Sequence, residues 1–223
     1  MTATLAREGD VHVLELGDGE NRLDRNELRA IHALLDEVEA APAPRSLVTV
    51  ASGKFWCNGF DQEWMVAHPE EVDRLLDEFR GLVARLVVLP LPTVAALQGH
   101  AFAAGAMLAL AHDFRVARED RGYFCLPEID LRRALSAASV ALVQAKVPGS
   151  VLSDLLIRAH RYSGPEAVTA GLASAVASAE TMRSAAIELA GSLAGKDPET
   201  LAVLKQRMWG AVVGGMGAEA SAG

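Results

Sequence analysis

Two segments of the sequence could supply backbone hydrogen-bond donors to a reacting carbonyl group. In KFWCNGFDQ (residues 54–62), Gly59 lets the chain turn sharply and leaves the amide of Phe60 free to point into a cleft. In QGHAFAAGAML (residues 98–108), small residues open a helix, whose first-turn N–H groups lack intrahelical partners and carry partial positive charge. Such donors suit an oxygen on which negative charge develops. An Asn-Gly turn and close helix–sheet packing are the ordinary structural explanations of the same patterns.

A third segment, CLPEIDL (residues 125–131), holds the candidate general base. Glu128 follows Pro127 among apolar and aromatic neighbours, and an apolar setting raises the pKa of a carboxyl group towards neutral pH. A glutamate at a helix start or on the surface would give the same local pattern. Together, two backbone donors and one buried carboxylate favour abstraction of a proton next to a thioester carbonyl, with the donors holding the enolate oxygen.

The elements that must position these segments alternate between strand and helix. Alternation and buried apolar runs predict strands at 3–7, 11–16, 46–52, 92–99, 113–120, 122–131 and 173–178. Helical spacing predicts helices at 23–41 and 69–89, and a further helix that opens within 103–106. This order indicates an α/β fold in which the ligand site lies at the loops 53–61, 99–106 and 126–130.

The second half of the chain is predicted to be mainly helical from residue 132. Breaks are expected at Pro148-Gly149, at Gly164-Pro165 and at Gly171, and the Gly/Ala-rich tail after Gly210 is expected to fray. We therefore divide the chain into an α/β core, residues 1–165, and a C-terminal helical region, residues 166–223.

Composition excludes several classes of protein. With 51% hydrophobic and 22% charged residues the chain is globular, and its formal net charge of −8 argues against nucleic acid as a partner. The most apolar stretch, Leu86–Leu97, contains Pro90 and Pro92, so we predict no membrane-spanning helix and no membrane partner. The N-terminal pattern is not that of a signal peptide, the last residues are not a peroxisomal address, and two cysteines make no disulfide framework. We therefore expect a cytoplasmic location.

Several familiar motifs are absent or fail their structural context. No G-x-S-x-G elbow occurs, GSLAGK (191–196) fails the spacing of a P-loop, and GMGAEA (215–220) follows no strand. The six histidines are scattered, so no metal site is predicted. We expect His100 and His112, near the candidate site, to have their polar atoms satisfied by backbone groups.

On these residues the sequence resembles the crotonase family, the enoyl-CoA hydratase/isomerase superfamily, over roughly residues 5–180. The likeness is most specific in KFWCNGFD, LPTVAALQGHAFAAGAMLALAHDFRVARED and YFCLPEIDL. Within the family it is most similar to the plant-type Δ3,Δ2-enoyl-CoA isomerases, which share the N-G-F-D loop, the G-H-A-x-A-A-G turn and the short carboxylate-bearing strand. The resemblance implies an α/β fold built as a spiral of ββα units, with a C-terminal helical region.

The resemblance also implies roles for individual residues. The family's two oxyanion amides fall on Phe60 and Ala104, with Gly105 adjacent, and Glu128 becomes the catalytic carboxylate. Members bind coenzyme A thioesters, so the 53–61 loop should lie against the pantetheine and adenine. The implied substrate-binding residues are Lys54, Phe55, Trp56, Asn58, Gly59, Asp61 and Met107. Coenzyme A enters only as part of the substrate, and no separate cofactor is implied.

Two neighbours of the first donor have reactive side chains. Cys57 is predicted to be a small packed residue rather than a nucleophile. Asp61 is predicted to order the loop rather than to take part in the chemistry.

Met107 distinguishes between two reactions of the family. Hydratases carry a glutamate three residues after the second oxyanion amide, where this sequence has Met107, and their second glutamate matches Glu128. Hydration uses two carboxylates, whereas isomerisation can use one that takes a proton from carbon 2 and returns it to carbon 4. We therefore predict a Δ3,Δ2-enoyl-CoA isomerase. The alternatives are another crotonase reaction, such as hydration, thioester hydrolysis, decarboxylation or dehalogenation, and a non-catalytic acyl-CoA-binding protein.

Two further features concern the acyl pocket and the assembly. After Glu128 the family usually has a loop containing proline and glycine, whereas this chain reads IDLRRALSAASVALV (129–143). Many members are trimers or dimers of trimers, and the apolar helical region after residue 132 fits that arrangement. We expect a homotrimer or a dimer of trimers.

Overall fold

A six-stranded sheet forms the main layer of the structure, a computed structural model that describes residues 3–220, with side chains through residue 217. Its strands are β1 (Thr4–Glu8), β2 (Val11–Glu15), β3 (Ser46–Val50), β5 (Thr93–Leu97), β7 (Phe114–Arg118) and β9 (Ala175–Ala177), in the order β1-β2-β3-β5-β7-β9. The β1–β2 hairpin is antiparallel and every other pairing is parallel. All residues of β3 and β5 are buried, as expected of central parallel strands covered on both faces.

A second, small parallel sheet grows out of the ends of three main strands. It consists of β4 (Phe55–Cys57), β6 (His100–Phe102) and β8 (Phe124–Cys125), in the order β4-β6-β8. The chain therefore makes three similar circuits, from main sheet to small sheet to helix. This arrangement is the predicted spiral of ββα units.

Helices cover the sheets and complete the core. They are α1 (Arg25–Ala40), α2 (Gln62–Ala67), α3 (Val72–Val88), α4 (Ala104–Ala111), α5 (Ala137–Lys146), α6 (Leu152–Leu156), α7 (Gly164–Thr169), α8 (Met182–Leu193) and α9 (Pro198–Ala220), with 3-10 turns at Pro69–Glu71 and Gly149–Val151. Within residues 3–220 no helix has both the length and the apolar character needed to cross a membrane.

The helix that supports the site, α4, lies entirely inside the protein. All eight of its residues, AGAMLALA, are buried, and it packs against α3, α5 and the small sheet. The last helix, α9, packs across α3 and α5. It is fastened by Lys205, whose buried ammonium group donates to the carbonyl of Leu91 at 2.8 Å and to Asp113 Oδ2 at 2.6 Å.

Most predicted elements are confirmed, but three predictions are wrong in detail. The strand predicted at 122–131 is only Phe124–Cys125, because residues 128–132 form a turn. The breaking pair Gly164-Pro165 instead opens α7, since proline suits the first turn of a helix. The tail from Gly210 to Ala220 continues α9 rather than fraying, and the predicted tail's last residues, 221–223, lie outside the described part of the chain.

The division between residues 165 and 166 stays a prediction. Elements after it join those before it, because β9 pairs with β7 in the main sheet and α9 packs on α3.

Candidate active site

The first candidate donor is the amide of Phe60, just beyond β4. Leu23 pairs with this segment in a parallel bridge: its amide donates to the Gly59 carbonyl at 2.8 Å, and its carbonyl accepts from the Asp61 amide at 2.9 Å. Because backbone groups alternate along an extended segment, the Phe60 N–H points away from Leu23. Among the described residues no acceptor engages it.

The second candidate donor is the amide of Ala104, at the start of α4. Ala103, the residue before it, has φ +51 and ψ −122, a conformation that non-glycine residues rarely adopt. Hydrogen bonds hold Ala103 on both sides: its amide donates to the Cys125 carbonyl at 3.1 Å, and its carbonyl accepts from the Met107 amide at 3.0 Å. The Ala104 N–H has no acceptor within the described part of the chain.

The two donors lie side by side because glycines let their backbones approach closely. A Cβ added to Gly59, which has φ +81, would lie 3.5 Å from the Ala104 amide nitrogen and 3.2 Å from the Ala103 Cβ. A Cβ on Gly105 would lie only 2.2 Å from the carbonyl oxygen of Cys57. Gly105 therefore permits the packing of α4 on β4.

Glu128 lies in the turn that follows β8. This turn is closed by hydrogen bonds from the Leu131 amide to the Pro127 carbonyl at 3.1 Å and from the Arg133 amide to the Glu128 carbonyl at 3.0 Å. The Oε2 atom of Glu128 is buried and has no partner among the described residues. Burial without a counter-ion raises the pKa of Glu128 to about 6, so this carboxylate is a base suited to neutral pH.

A cavity of about 680 Å³ connects the donors with this carboxylate. It is lined by eighteen of the described residues: Arg22, Asn58, Phe60, Gln62, Met65, Leu76, Phe79, Arg80, Ala103, Ala104, Met107, Glu128, Leu131, Arg133, Ala134, Leu135, Ser136 and Ser139. Glu128 is the only acidic residue among them. The cavity therefore offers one carboxylate, two free amides and a largely apolar wall.

The structure brings five predicted site residues together on this wall: Asn58, Phe60, Ala104, Met107 and Glu128. Met107 lies on the first part of α4, and its side chain reaches the cavity while remaining 2% exposed. Met107 therefore contributes an apolar side chain to the cavity that Glu128 also lines.

The other predicted binding residues lie outside the wall. Trp56 is a core residue rather than a contact residue, because it is fully buried and its indole N–H donates to the Thr49 carbonyl at 3.3 Å. Asp61 orders the loop, since its Oδ1 caps α2 by accepting from the Trp64 amide at 3.0 Å. Lys54 lies 5.4 Å over the ring of Phe55, at the edge of the small sheet. Gly59 and Gly105 act through close backbone packing.

Two stretches of the wall were missed in the sequence. One is the face of α3 formed by Leu76, Phe79 and Arg80, whose i, i+3, i+4 spacing is the signal that could have identified it. The other is the segment 131–139, which lies within the stretch 129–143 that the sequence already associates with the acyl pocket. Which of its residues face the cavity was not predicted, because the segment has no regular structure before α5 and no periodicity.

The two histidines near the site differ from each other. His112 is buried and paired, with its Nδ1 2.9 Å from the Leu108 carbonyl and its Nε2 2.8 Å from Thr49 Oγ1, and burial lowers its pKa to about 4. His100 instead packs between Phe55 and Tyr123, and its Nδ1 has no partner within the described residues. Among those residues no three His, Cys, Asp or Glu side chains are grouped so as to hold a metal ion.

Comparison with known proteins shows which family the chain is similar to. A family model described as "Enoyl-CoA hydratase/isomerase" matches residues 8–216. Enoyl-CoA delta isomerase 2, peroxisomal, of Arabidopsis thaliana is 35% identical, over 97% of this chain and 95% of that protein. Enoyl-CoA delta isomerase 3 of the same plant is also 35% identical, over 92% and 91%.

The fold has close counterparts among solved structures. The crystal structure of a probable enoyl-CoA hydratase from Mycobacterium tuberculosis superimposes with a TM-score of 0.92, at 24% identity, over 98% of this chain and 93% of that one. The family model therefore covers most of the chain, and the Arabidopsis relative is 35% identical over nearly the whole length of both proteins. The chain belongs to the enoyl-CoA hydratase/isomerase family.

Proposed function

We propose that this protein is a Δ3,Δ2-enoyl-CoA isomerase, which shifts a double bond in an unsaturated acyl-CoA. The observation that carries the proposal is the single carboxylate, Glu128, on a cavity wall that also holds two unpartnered amides. The two Arabidopsis relatives are named for the same activity, which supports it.

The proposed mechanism uses each of these groups once. The amides of Phe60 and Ala104 donate hydrogen bonds to the thioester carbonyl oxygen, and ionised Glu128 removes a proton from carbon 2 of the 3-enoyl chain. The electron pair spreads over the dienolate, whose oxygen is held by the two donors. Glu128 then returns its proton to carbon 4, which leaves the double bond between carbons 2 and 3. No water is consumed, so one carboxylate suffices.

Met107 separates this reaction from hydration. A hydratase needs a second carboxylate to hold and activate water, and the apolar thioether of Met107 cannot do either. The buried position of Met107 on the cavity wall supports an isomerase over a hydratase.

The proposal also covers the approach of the coenzyme A moiety and the cellular location of the protein. The coenzyme A moiety would approach through the loop 53–61, of which Asn58 and Phe60 reach the cavity wall, and no separate cofactor would be needed. We propose a cytoplasmic location, in contrast to the Arabidopsis enoyl-CoA delta isomerase 2, whose name includes the word peroxisomal.

Replacing Glu128 tests its role as the only base. We expect Glu128→Gln to keep its fold and its affinity for acyl-CoA while kcat falls by roughly 10²–10⁴, the scale of general-base loss. The assay follows 3-enoyl-CoA and 2-enoyl-CoA side by side, since an isomerase converts the first, a hydratase consumes the second and a binding protein does neither. The matched control is Asp130→Asn, two residues along the same turn and exposed. Activity of Glu128→Gln within about threefold of wild type would exclude this residue as the base.

The pH dependence tests the environment of the same carboxylate. The base must be ionised, and burial raises the pKa of Glu128 to about 6. We therefore expect kcat/KM, which reports the free enzyme, to rise with pH, reach half its maximum near pH 6 and then level off. A half-maximum at or below pH 4.5 would show a carboxylate in an ordinary solvated setting.

Replacing Met107 tests the distinction between isomerase and hydratase. Met107→Glu should lower the free energy of unfolding by about 1–3 kcal/mol, the cost of a buried polar group without full pairing. It should also lower isomerase turnover, because a second carboxylate beside Glu128 disfavours ionisation of both. Met107→Leu is the control, since a swap of similar volume usually costs less than about 1.5 kcal/mol. Unchanged isomerase kinetics and stability in Met107→Glu would show that residue 107 does not face the substrate.

The proposed assembly is a homotrimer or a dimer of trimers. Large apolar side chains that are exposed in one chain support it: Ile129, Leu131, Ile157, Val203, Leu204 and Met208. Light scattering at micromolar concentration should give three or six times the mass of the chain. A monomer under those conditions would contradict the proposed assembly.

A further inference from the structure

The cavity contains a charged side chain that the proposed reaction does not use. Arg80 lies on the wall beside Leu76 and Phe79, all three on one face of α3. The ring of Phe79 packs edge-on against that of Phe60, with centroids 5.0 Å apart, which fixes this part of α3 beside the first donor. The Arg80 side chain is only 18% exposed, so its charge lies at the cavity wall rather than in bulk solvent.

The hydrogen-bonding capacity of Arg80 is only partly used. Its Nη2 donates to Asp77 Oδ1, a partner one turn earlier on α3. Its Nε is buried and has no acceptor among the described residues. A guanidinium group carries five N–H donors in a fixed plane, and leaving a buried donor unpaired is unfavourable. Because Nε has almost no accessible surface, the group open to a ligand is Nη1, which has no acceptor among the described residues.

The other charges on the wall favour an anionic ligand. Three arginines, Arg22, Arg80 and Arg133, line the cavity against one carboxylate, Glu128. Two serine hydroxyls, of Ser136 and Ser139, add hydrogen-bonding groups to the wall on the side of α5. Some of these groups already have partners, since Ser136 caps α5 by accepting from the Ser139 amide and Arg22 pairs with Glu20. Arg80 differs from them because its side chain is mostly buried and only partly paired, and a hydrocarbon tail alone would offer it no acceptor.

We propose that Arg80 is a specificity residue, and that the substrates are coenzyme A monothioesters of unsaturated dicarboxylic acids, whose free carboxylate binds Arg80. This inference rests on the proposed function only in taking acyl-CoA as the ligand class. A hydrogen bond between a guanidinium and a carboxylate is charge-assisted, and its geometry suits a planar carboxylate better than a hydroxyl group.

Binding of saturated, unreactive thioesters tests the inference without turnover. Adipoyl-CoA is compared with hexanoyl-CoA and suberoyl-CoA with octanoyl-CoA, by calorimetric titration of the full-length protein. We expect the diacid thioester to bind at least about tenfold more tightly in one of the pairs. Arg80→Met should reduce that preference by about 10–100-fold, the loss expected for a charge-assisted hydrogen bond.

Two further variants make the result specific to Arg80. Arg80→Lys keeps the charge but loses the planar fork, and should retain only part of the preference. Arg74→Met removes a charge from the same helix at a side chain that is 71% exposed, and should leave the preference unchanged. If Arg80→Met fails to fold, the test rests on two other measurements: the ratio of the wild-type affinities for the diacid and alkyl thioesters, and the same ratio for Arg80→Lys.

The outcomes separate this inference from the proposed reaction. Equal binding, or tighter binding of the alkyl thioesters, in both wild-type pairs overturns the role of Arg80, as does a preference that survives in Arg80→Met. If wild type binds the diacid more tightly and Arg80→Met does not, the specificity stands even when neither 3-hexenoyl-CoA nor 3-hexenedioyl-CoA is isomerised. That last result would overturn the isomerase alone.

Discussion

The candidate site depends on one steric constraint, the close approach of two backbone segments where α4 begins behind β4. No side chain larger than hydrogen fits at Gly105, because its Cβ would lie 2.2 Å from the Cys57 carbonyl oxygen. This contact holds the start of α4 against the exit of β4, so the amides of Phe60 and Ala104 cannot turn towards other acceptors. Donors fixed before the ligand arrives need no reorganisation during the reaction, which is the main source of their stabilising effect on an oxyanion. The all-buried α4 follows from the same constraint, since only a run such as AGAMLALA can pack this tightly on every side.

The Glu128 carboxylate, in contrast to the closely packed backbone segments, lacks a hydrogen-bond partner at its buried Oε2 atom among the described residues. A rise in the pKa of Glu128 from 4.5 to about 6 corresponds to at most about 2 kcal/mol against the ionised form in the folded state. The sign of the linkage follows: the native state loses this amount of stability at pH values above 6, and the loss disappears as the pH falls below 4.5. The network at Asp113 shows that this fold can satisfy a carboxylate, since Lys205 and the hydroxyl and amide of Thr93 all donate to it. The unpaired Glu128 therefore lowers the stability of the native state, and it leaves a carboxylate that can accept a proton.

The sequence identifies the parts of this site that obey local rules. Gly59 and the small residues at 103–106 predict the donor turns, since only such residues permit positive φ and close backbone approach. The apolar neighbours of Glu128 predict its raised pKa. The small sheet was not predictable, because two- and three-residue strands such as Phe124–Cys125 carry no period and are defined only by their pairing partners. The predicted binding role of Trp56 fails for the same reason. In the sequence, position 56 belongs to a loop, and only the pairing of the small sheet shows that its side chain lies in the core.

Chemistry in this fold divides between backbone and side chain. The proposed oxyanion donors are amides, so the side chains of Phe60 and Ala104 are not what the proposed reaction requires, whereas the hydrogen at Gly105 is fixed by packing. A related chain can therefore keep the donors while most of its sequence changes, which is consistent with relatives at 35% identity over nearly the whole length. What the donors act on is then decided by the few side chains that face the cavity. Met107 lies one helical turn beyond Ala104 and lines the same cavity as Glu128. In the proposed mechanism, an apolar thioether at that position leaves Glu128 as the one group that moves the proton, whereas a carboxylate there would be a second base that could activate water.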